Sequence, residues 1–212
     1  MPSRKIVFWE VDTQADFMLP GGSLYVPGAE KLIPNIKRLV DVARKGQVFL
    51  VSSGCRHVQN DPEFKTFAPH CIRGTPGARI IPEGLARTYY TIPNDEKFKL
   101  PKDLLNYQQV LLEKQTLGVF DNPQTGVLVD RLGKDAEYIV FGVVTEFCVR
   151  LAAKGLLERG HSVSIVKDAI ETLKAEEGRR TIAELKSLGA RLISTDEAIA
   201  ALDTKAPQSA HN

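Results

Sequence analysis

Ala136–Val144 reads AEYIVFGVV, and after a single threonine the chain continues as Glu146–Arg159, EFCVRLAAKGLLER. The first stretch is apolar at nearly every position and rich in β-branched and aromatic residues, which predicts a strand buried on both faces, as in a parallel sheet. The second places Val149, Ala152, Ala153, Leu156 and Leu157 on one helical face. A buried strand feeding directly into an amphipathic helix is one half of a βαβ unit.

The pattern recurs in both directions. Lys5–Val11 (KIVFWEV) reads as a strand ending at Asp12. Pro20-Gly21-Gly22 breaks the chain, and Ala29–Ala43 then carries Leu32, Ile33, Ile36, Leu39, Val40 and Ala43 at helical spacing, closed by Gly46. Gln47–Ser53 (QVFLVSS) is the second predicted strand. From Gly54 to about Gly84 no period is sustained, and a loop that long inside a compact domain is usually functional. Gln108–Glu113 (QQVLLE) is a strand ending at Lys114, Gln124–Leu132 a short helix, Ser162–Val166 (SVSIV) a strand, Ala175–Leu188 a helix, and Arg191–Ser194 (RLIS) a last strand. This alternation predicts a doubly wound, mainly parallel α/β sheet with helices on both faces, a Rossmann-like three-layer arrangement. No repeat or linker divides it. One domain over residues 1–203 is expected, with a small polar tail, 204–212, that frays.

Composition narrows the function. The chain has 212 residues, 43% of them hydrophobic and 25% charged, enough to bury a substantial core. Lys and Arg number 28 against 26 Asp and Glu, and no basic run stands out, so nothing supplies the phosphate-neutralising stripe of a nucleic-acid binder. The N-terminal apolar run, Ile6–Trp9, is too short for a signal-peptide core or a membrane span. Three cysteines, an odd number, fit reduced thiols better than a disulfide framework. The expectation is a cytoplasmic protein acting on a small molecule, with no nucleic-acid or membrane partner.

Ligands of an open parallel sheet bind beyond the carboxyl ends of its strands. Asp12, Lys114 and Cys148 fall there, the last inside the first turn of a helix. Taken singly, each has a commoner use: turn former, solvated charge, small buried hydrophobe. Together they make an amide-hydrolysis set. A helix N-terminus and a nearby ammonium favour a thiolate, Asp12 can take the thiol proton and return it to a departing amine, and the first helix amides can hold an oxyanion.

Three segments carry a family resemblance. Val11-Asp12-Thr13-Gln14-Ala15-Asp16-Phe17 with Pro20-Gly21-Gly22-Ser23-Leu24, then Pro69-His70-Cys71-Ile72-Arg73-Gly74-Thr75-Pro76-Gly77-Ala78, then Gly142-Val143-Val144-Thr145-Glu146-Phe147-Cys148-Val149 resemble, in order and spacing, the motifs of the isochorismatase-like cysteine hydrolases, nicotinamidase/pyrazinamidase branch. The resemblance spans roughly residues 5–195. It implies a catalytic triad of Asp12, Lys114 and Cys148, a cis peptide between Val143 and Val144, and an oxyanion hole from the Val144 and Cys148 amides. It also implies an aromatic slot at Phe17 and Phe67, closed by Phe120, and a homo-oligomer. Val144 stands where many nicotinamidases have Ala, and Phe67 where many members have Trp. The family's metal ligands would fall on Cys55, His57, Glu63 and His70, with Cys55 in place of the usual Asp. A thiolate, a carboxylate and two imidazoles favour zinc among divalent metals. Cys55 and His57 are two apart, so an extended backbone points both to one face. His161 and His211 have no such context, and Cys71 is expected to be a buried core thiol.

The expected reaction is hydrolysis of a small carboxamide, nicotinamide to nicotinate and ammonia, through a thioester. The alternatives are an amidase for another small amide or ureide, such as a carbamoyl compound, an isochorismatase-type vinyl ether hydrolase, or a silent binding member.

Overall fold

The computed structural model describes residues 5–203; the tail expected to fray, and His211 within it, lie outside the described residues. Seven strands form one sheet: β1 (Ile6–Val11), β2 (Phe49–Cys55), β3 (Tyr89–Ile92), β4 (Gln109–Lys114), β5 (Glu137–Gly142), β6 (Ser162–Ile170) and β7 (Arg191–Ile193). Their order is β3-β4-β2-β1-β5-β6-β7, and every pair is parallel. The helices are α1 (Ala15–Met18), α2 (Ile33–Arg44), α3 (Pro123–Leu132), α4 (Arg150–Glu158), α5 (Ala175–Ser187) and α6 (Thr195–Asp203).

Residues of β1 alternate between two cores. Ile6 and Phe8 join Ile36 and Leu39 of α2 and Ala198 of α6 on one face. Val7, Trp9 and Val11 join Leu128 of α3, Ala152 of α4 and Leu185 of α5 on the other. The sheet is therefore wound on both sides, as expected from strands apolar along their whole length. The chain first builds outward from β1 through β2 to β4 and β3, then returns to build β5, β6 and β7 on the other side. That reversal places a crevice above the carboxyl end of β1, at Asp12.

Four features differ from expectation. β3 is an additional edge strand, only four residues long and mostly half-exposed, so it carries no continuous apolar run. α6 follows the last expected strand. β6 extends four residues past Val166, with Lys167 and Asp168 exposed. The helix expected from Glu146 begins instead as a wider turn over Thr145–Val149, in which Val149 N–H reaches back five residues to the Val144 carbonyl at 3.1 Å.

Candidate active site

Asp12 is the first residue past β1. Its φ of +50° turns the chain off the sheet, while its N–H still reaches the Ser53 carbonyl at 3.1 Å. The side chain turns inward, 1% exposed, and Ser53 Oγ donates to Oδ1 at 3.0 Å. Lys114, the last residue of β4, is equally buried; its Nζ lies 2.8 Å from Asp12 Oδ2, 3.6 Å from Cys148 Sγ and 3.0 Å from the Thr116 carbonyl oxygen. β5 delivers the cysteine. At Gly142, φ is +117°, and a Cβ there would come within 2.1 Å of the Val11 carbonyl oxygen, so only glycine lets β5 leave the sheet against β1. The Val143–Val144 peptide that follows is cis, and the Val144 N–H donates to no group among the described residues.

The charge states follow from this packing. Burial is the largest single influence on Lys114 and works against its charge, but Asp12, Cys148 and Cys55 together outweigh it and hold the ammonium well above its ordinary pKa. Burial pushes the Cys148 thiol well above its usual range; Lys114 pulls it down and Asp12 adds to the rise. Two influences therefore compete at the sulfur: the Lys114 ammonium favours a thiolate, while burial and the neighbouring Asp12 side chain hold the proton on it.

The second group of residues converges beside the first. Sulfur and nitrogen atoms of Cys55, His57 and His70 lie within 4.8 Å of one another, all three side chains buried. Glu63 Oε1 is 3.8 Å from His57 Nε2 and 3.7 Å from His70 Nε2. Each ring is anchored from behind. His70 Nδ1 faces the Ala68 carbonyl oxygen at 2.8 Å, which can only accept, so Nδ1 carries the proton and Nε2 its lone pair. His57 Nδ1 lies 3.0 Å from Asp61 Oδ2, an ion-pair approach without hydrogen-bond alignment, and its fully buried Nε2 has no hydrogen-bond partner either among the described residues. A buried acceptor nitrogen aimed at a thiol, an imidazole and a carboxylate fits a divalent metal, and the carboxylate and carbonyl behind the rings are what orient metal-binding histidines.

Cys55 belongs to both groups. It sits opposite Lys114 in the β2–β4 register, with Sγ 3.0 Å from Lys114 Nζ and 3.8 Å from Asp12 Oδ2. Burial pushes its thiol up to about 12. Cys71 is fully buried, as expected, and none of the three cysteines is in a disulfide.

Above Cys148 opens a cleft with about 410 Å³ of space between atoms, part of it solvent-connected. Phe17, Phe67 and Val144 line it, together with Phe147 and with Leu117 and Leu173, which no motif in the sequence marks. Phe67 meets Phe147 edge-on at 5.8 Å. No lysine or arginine is among the lining residues. Phe120 is elsewhere: its ring stacks on Trp9 at 6.2 Å under the Arg159 guanidinium at 3.9 Å, in the core between the sheet and α4, and does not line the cleft. The reason is local. The short 3₁₀ turn over Val119–Asp121 sends Phe120 toward Gly155 of α4, where a side chain would collide with the ring. His161 is buried against Tyr138, far from either group in the fold, with Nδ1 3.3 Å from the Ala136 carbonyl.

Comparison with known proteins agrees with this architecture. The Isochorismatase domain family matches residues 7–89 and 92–197. The nicotinamidase of Escherichia coli (strain K12) is 24% identical, covering 91% of this chain and 95% of that protein. A probable inactive nicotinamidase of Arabidopsis thaliana is 22% identical, covering 89% and 91%. Among solved structures, the pyrazinamidase of Pyrococcus horikoshii in complex with zinc is 25% identical, with a TM-score of 0.70 over 90% of this chain and 99% of that one. No helix among the described residues is long and apolar enough to cross a membrane.

Proposed function

The chain belongs to the isochorismatase-domain family, and from that premise we propose that it is a cysteine amidohydrolase that converts nicotinamide to nicotinate and ammonia. The observation that carries the reading is the buried contact of Lys114 Nζ with Asp12 Oδ2 at 2.8 Å and Cys148 Sγ at 3.6 Å, at the floor of an apolar cleft.

Asp12 takes the Cys148 proton as sulfur attacks the carboxamide carbon. The Val144 and Cys148 amides hold the resulting oxyanion, and the Val144 N–H, with no other partner, is available for it. Asp12 returns the proton to the nitrogen, ammonia leaves, and a thioester remains on Cys148. Water, deprotonated by Asp12, hydrolyses it and restores the thiol. Lys114 keeps its charge throughout, offsetting negative charge as it passes from Asp12 to sulfur and oxygen.

Cys55, His57, Glu63 and His70 would hold a divalent metal, and the thiol in that set supports zinc over Mn²⁺ or Mg²⁺. When bound, the metal supplies a Lewis-acid anchor for a substrate ring nitrogen. The cleft supports a neutral aromatic amide over the carbamoyl amino acids: burying a substrate carboxylate without a free cation is costly, and the one cation at its floor, Lys114, is already paired with Asp12, with no arginine or further lysine among the described lining residues. Against a silent member stands the intact trio.

Ammonia release across nicotinamide, pyrazinamide, carbamoyl amino acids and biuret tests the reading. Nicotinamide should turn over fastest, and Cys148→Ala should abolish release. A carbamoyl compound as the best substrate would replace the nicotinamide assignment, and ammonia release retained in Cys148→Ala would sink the mechanism.

A further inference from the structure

The ladder between β1 and β2 stops two pairs short of Cys55. Val11 pairs with Ser53, after which Asp12 turns away, yet β2 runs on through Gly54 to Cys55. On its far side Cys55 is held by β4, opposite Lys114. On the near side the strand is gone. The carboxamide of Gln14 stands in its place: Oε1 accepts the Cys55 N–H at 2.6 Å, and Nε2 donates to the Cys55 carbonyl at 2.8 Å. This is the two-bond exchange of a β ladder, made by a side chain. The second hydrogen of Nε2 goes to the Ala78 carbonyl at 2.7 Å, so the amide is fully used, and Gln14 is completely buried.

We propose that Gln14 is a positioning residue for Cys55, fixing its sulfur between Lys114 and the histidine pair, and so setting metal affinity without touching the metal. The inference rests on the reading of Cys55, His57, Glu63 and His70 as a metal set. Both ends of the Cys55–His57 segment are pinned by backbone pairing. His57 N–H donates to the Cys71 carbonyl at 3.1 Å and its carbonyl accepts from Arg73 N–H at 2.9 Å, whereas Cys55 has Gln14. Arg56 Nη1 also donates to the Cys55 carbonyl at 3.1 Å, but nothing except Gln14 is seen to take the Cys55 N–H among the described residues. The side chain must be Gln. Asn is one methylene short, and Glu would set a carboxylate oxygen against the Cys55 and Ala78 carbonyls where Nε2 now donates.

The test compares the parent with Gln14→Ala and Gln14→Glu. Three quantities are read: hydrogen exchange at the Cys55 amide by NMR, zinc affinity by competition with a chromogenic chelator, and alkylation of Cys148 mapped by mass spectrometry. In both variants the Cys55 amide should exchange at least about tenfold faster, and zinc should bind about 10–100-fold more weakly, the usual consequence of losing an outer partner of a metal ligand. Cys148 alkylation should stay within about threefold, because β5 and its turn are untouched. Unchanged exchange and zinc affinity in a folded variant would overturn the proposal. So would loss of folding in both variants, which would make Gln14 a fold residue. A parent that binds no zinc defeats the metal reading alone, and the exchange rate then decides the clasp.

Discussion

Asp12, Lys114 and Cys148 come from the ends of three central strands, whereas His57, Glu63 and His70 come from irregular backbone after β2. The first group inherits its geometry from the ladder: β1, β4 and β5 are almost wholly buried, and their register fixes where each side chain emerges. The second is held piece by piece. Asp61 and the Ala68 carbonyl back the two rings, and Asp16 Oδ2 accepts the Cys71 N–H at 2.7 Å to tie the His70 turn to the first helix. Cys55, on β2 but beyond the end of β1, is where the two kinds of construction meet. Substitution at the strand ends should therefore act through charge, and in the loop through position.

The largest effect expected from that contrast is at Lys114. Lys114→Ala should lower kcat/KM by about 10²–10³, as loss of a fixed charge or donor that stabilises the transition state does. It also strands the Asp12 carboxylate in the interior with no cation beside it, only the Ser53 hydroxyl and the Cys55 thiol, which costs about 3–5 kcal/mol. For a chain of this size that lowers Tm on the order of 10 °C. Asp12→Asn should lose as much activity but less stability, because Lys114 keeps the Thr116 carbonyl and can shed its proton. Calorimetry and ammonia release on both variants check this asymmetry, and a Lys114→Ala protein with parental Tm and kcat/KM would remove Lys114 from the charge set.

The same contrast explains what was readable in the sequence. Strands β1, β2, β4, β5 and β6 stand out because a parallel sheet buried on both faces needs continuous apolar runs, and the trio follows from where those runs end. β3 does not stand out, because Tyr89–Ile92 is an edge with one face open to solvent. The outer partners of this group are invisible for a different reason: Asp61 sits only four residues from His57 but in irregular backbone with no period to place it, and Gln14 meets Cys55 only once β1 and β2 lie side by side. The double role of Cys55 needs the β2–β4 register, which no local pattern encodes. Phe120 misleads because closeness to Lys114 in sequence says nothing about whether a short turn serves the cleft or the core.

A second buried charge at the strand ends sharpens the comparison. Glu10 lies two residues before Asp12, fully buried, accepting from Thr13 Oγ1 at 2.7 Å and Ser52 Oγ at 2.6 Å. Burial raises its carboxyl from 4.5 to about 7, partly offset by those hydroxyls. A folded-state pKa above the unfolded one stabilises fully below pH 4.5, where both states are protonated. That stabilisation is lost as pH rises to 7, because only the unfolded chain ionises over that window. The loss amounts to about 3 kcal/mol. Tm should fall between pH 4.5 and 7 in the parent and fall much less in Glu10→Gln. Parallel Tm profiles would mean that Glu10 ionises normally in the fold.

The smallest effect belongs to the loop, and it separates the two constructions most directly. Protein purified without added metal should contain zinc, because the Cys55 sulfur and two imidazoles are softer ligands than the oxygen set that Mg²⁺ or Mn²⁺ prefers. Stripping it with a chelator should raise KM for nicotinamide about 10–100-fold, the worth of one charge-assisted anchoring contact. An amide without a ring nitrogen should be unaffected, and Cys148 should alkylate at its usual rate, since Asp12, Lys114 and Cys148 are placed by the sheet and not by the metal. Cys55→Asp should move the preference toward Mn²⁺ by exchanging sulfur for oxygen. Elemental analysis and steady-state kinetics before and after chelation decide the matter. If no transition metal co-purifies and the chelator changes nothing, Cys55 serves Lys114 alone, and the case for a ring nitrogen in the substrate falls with the metal.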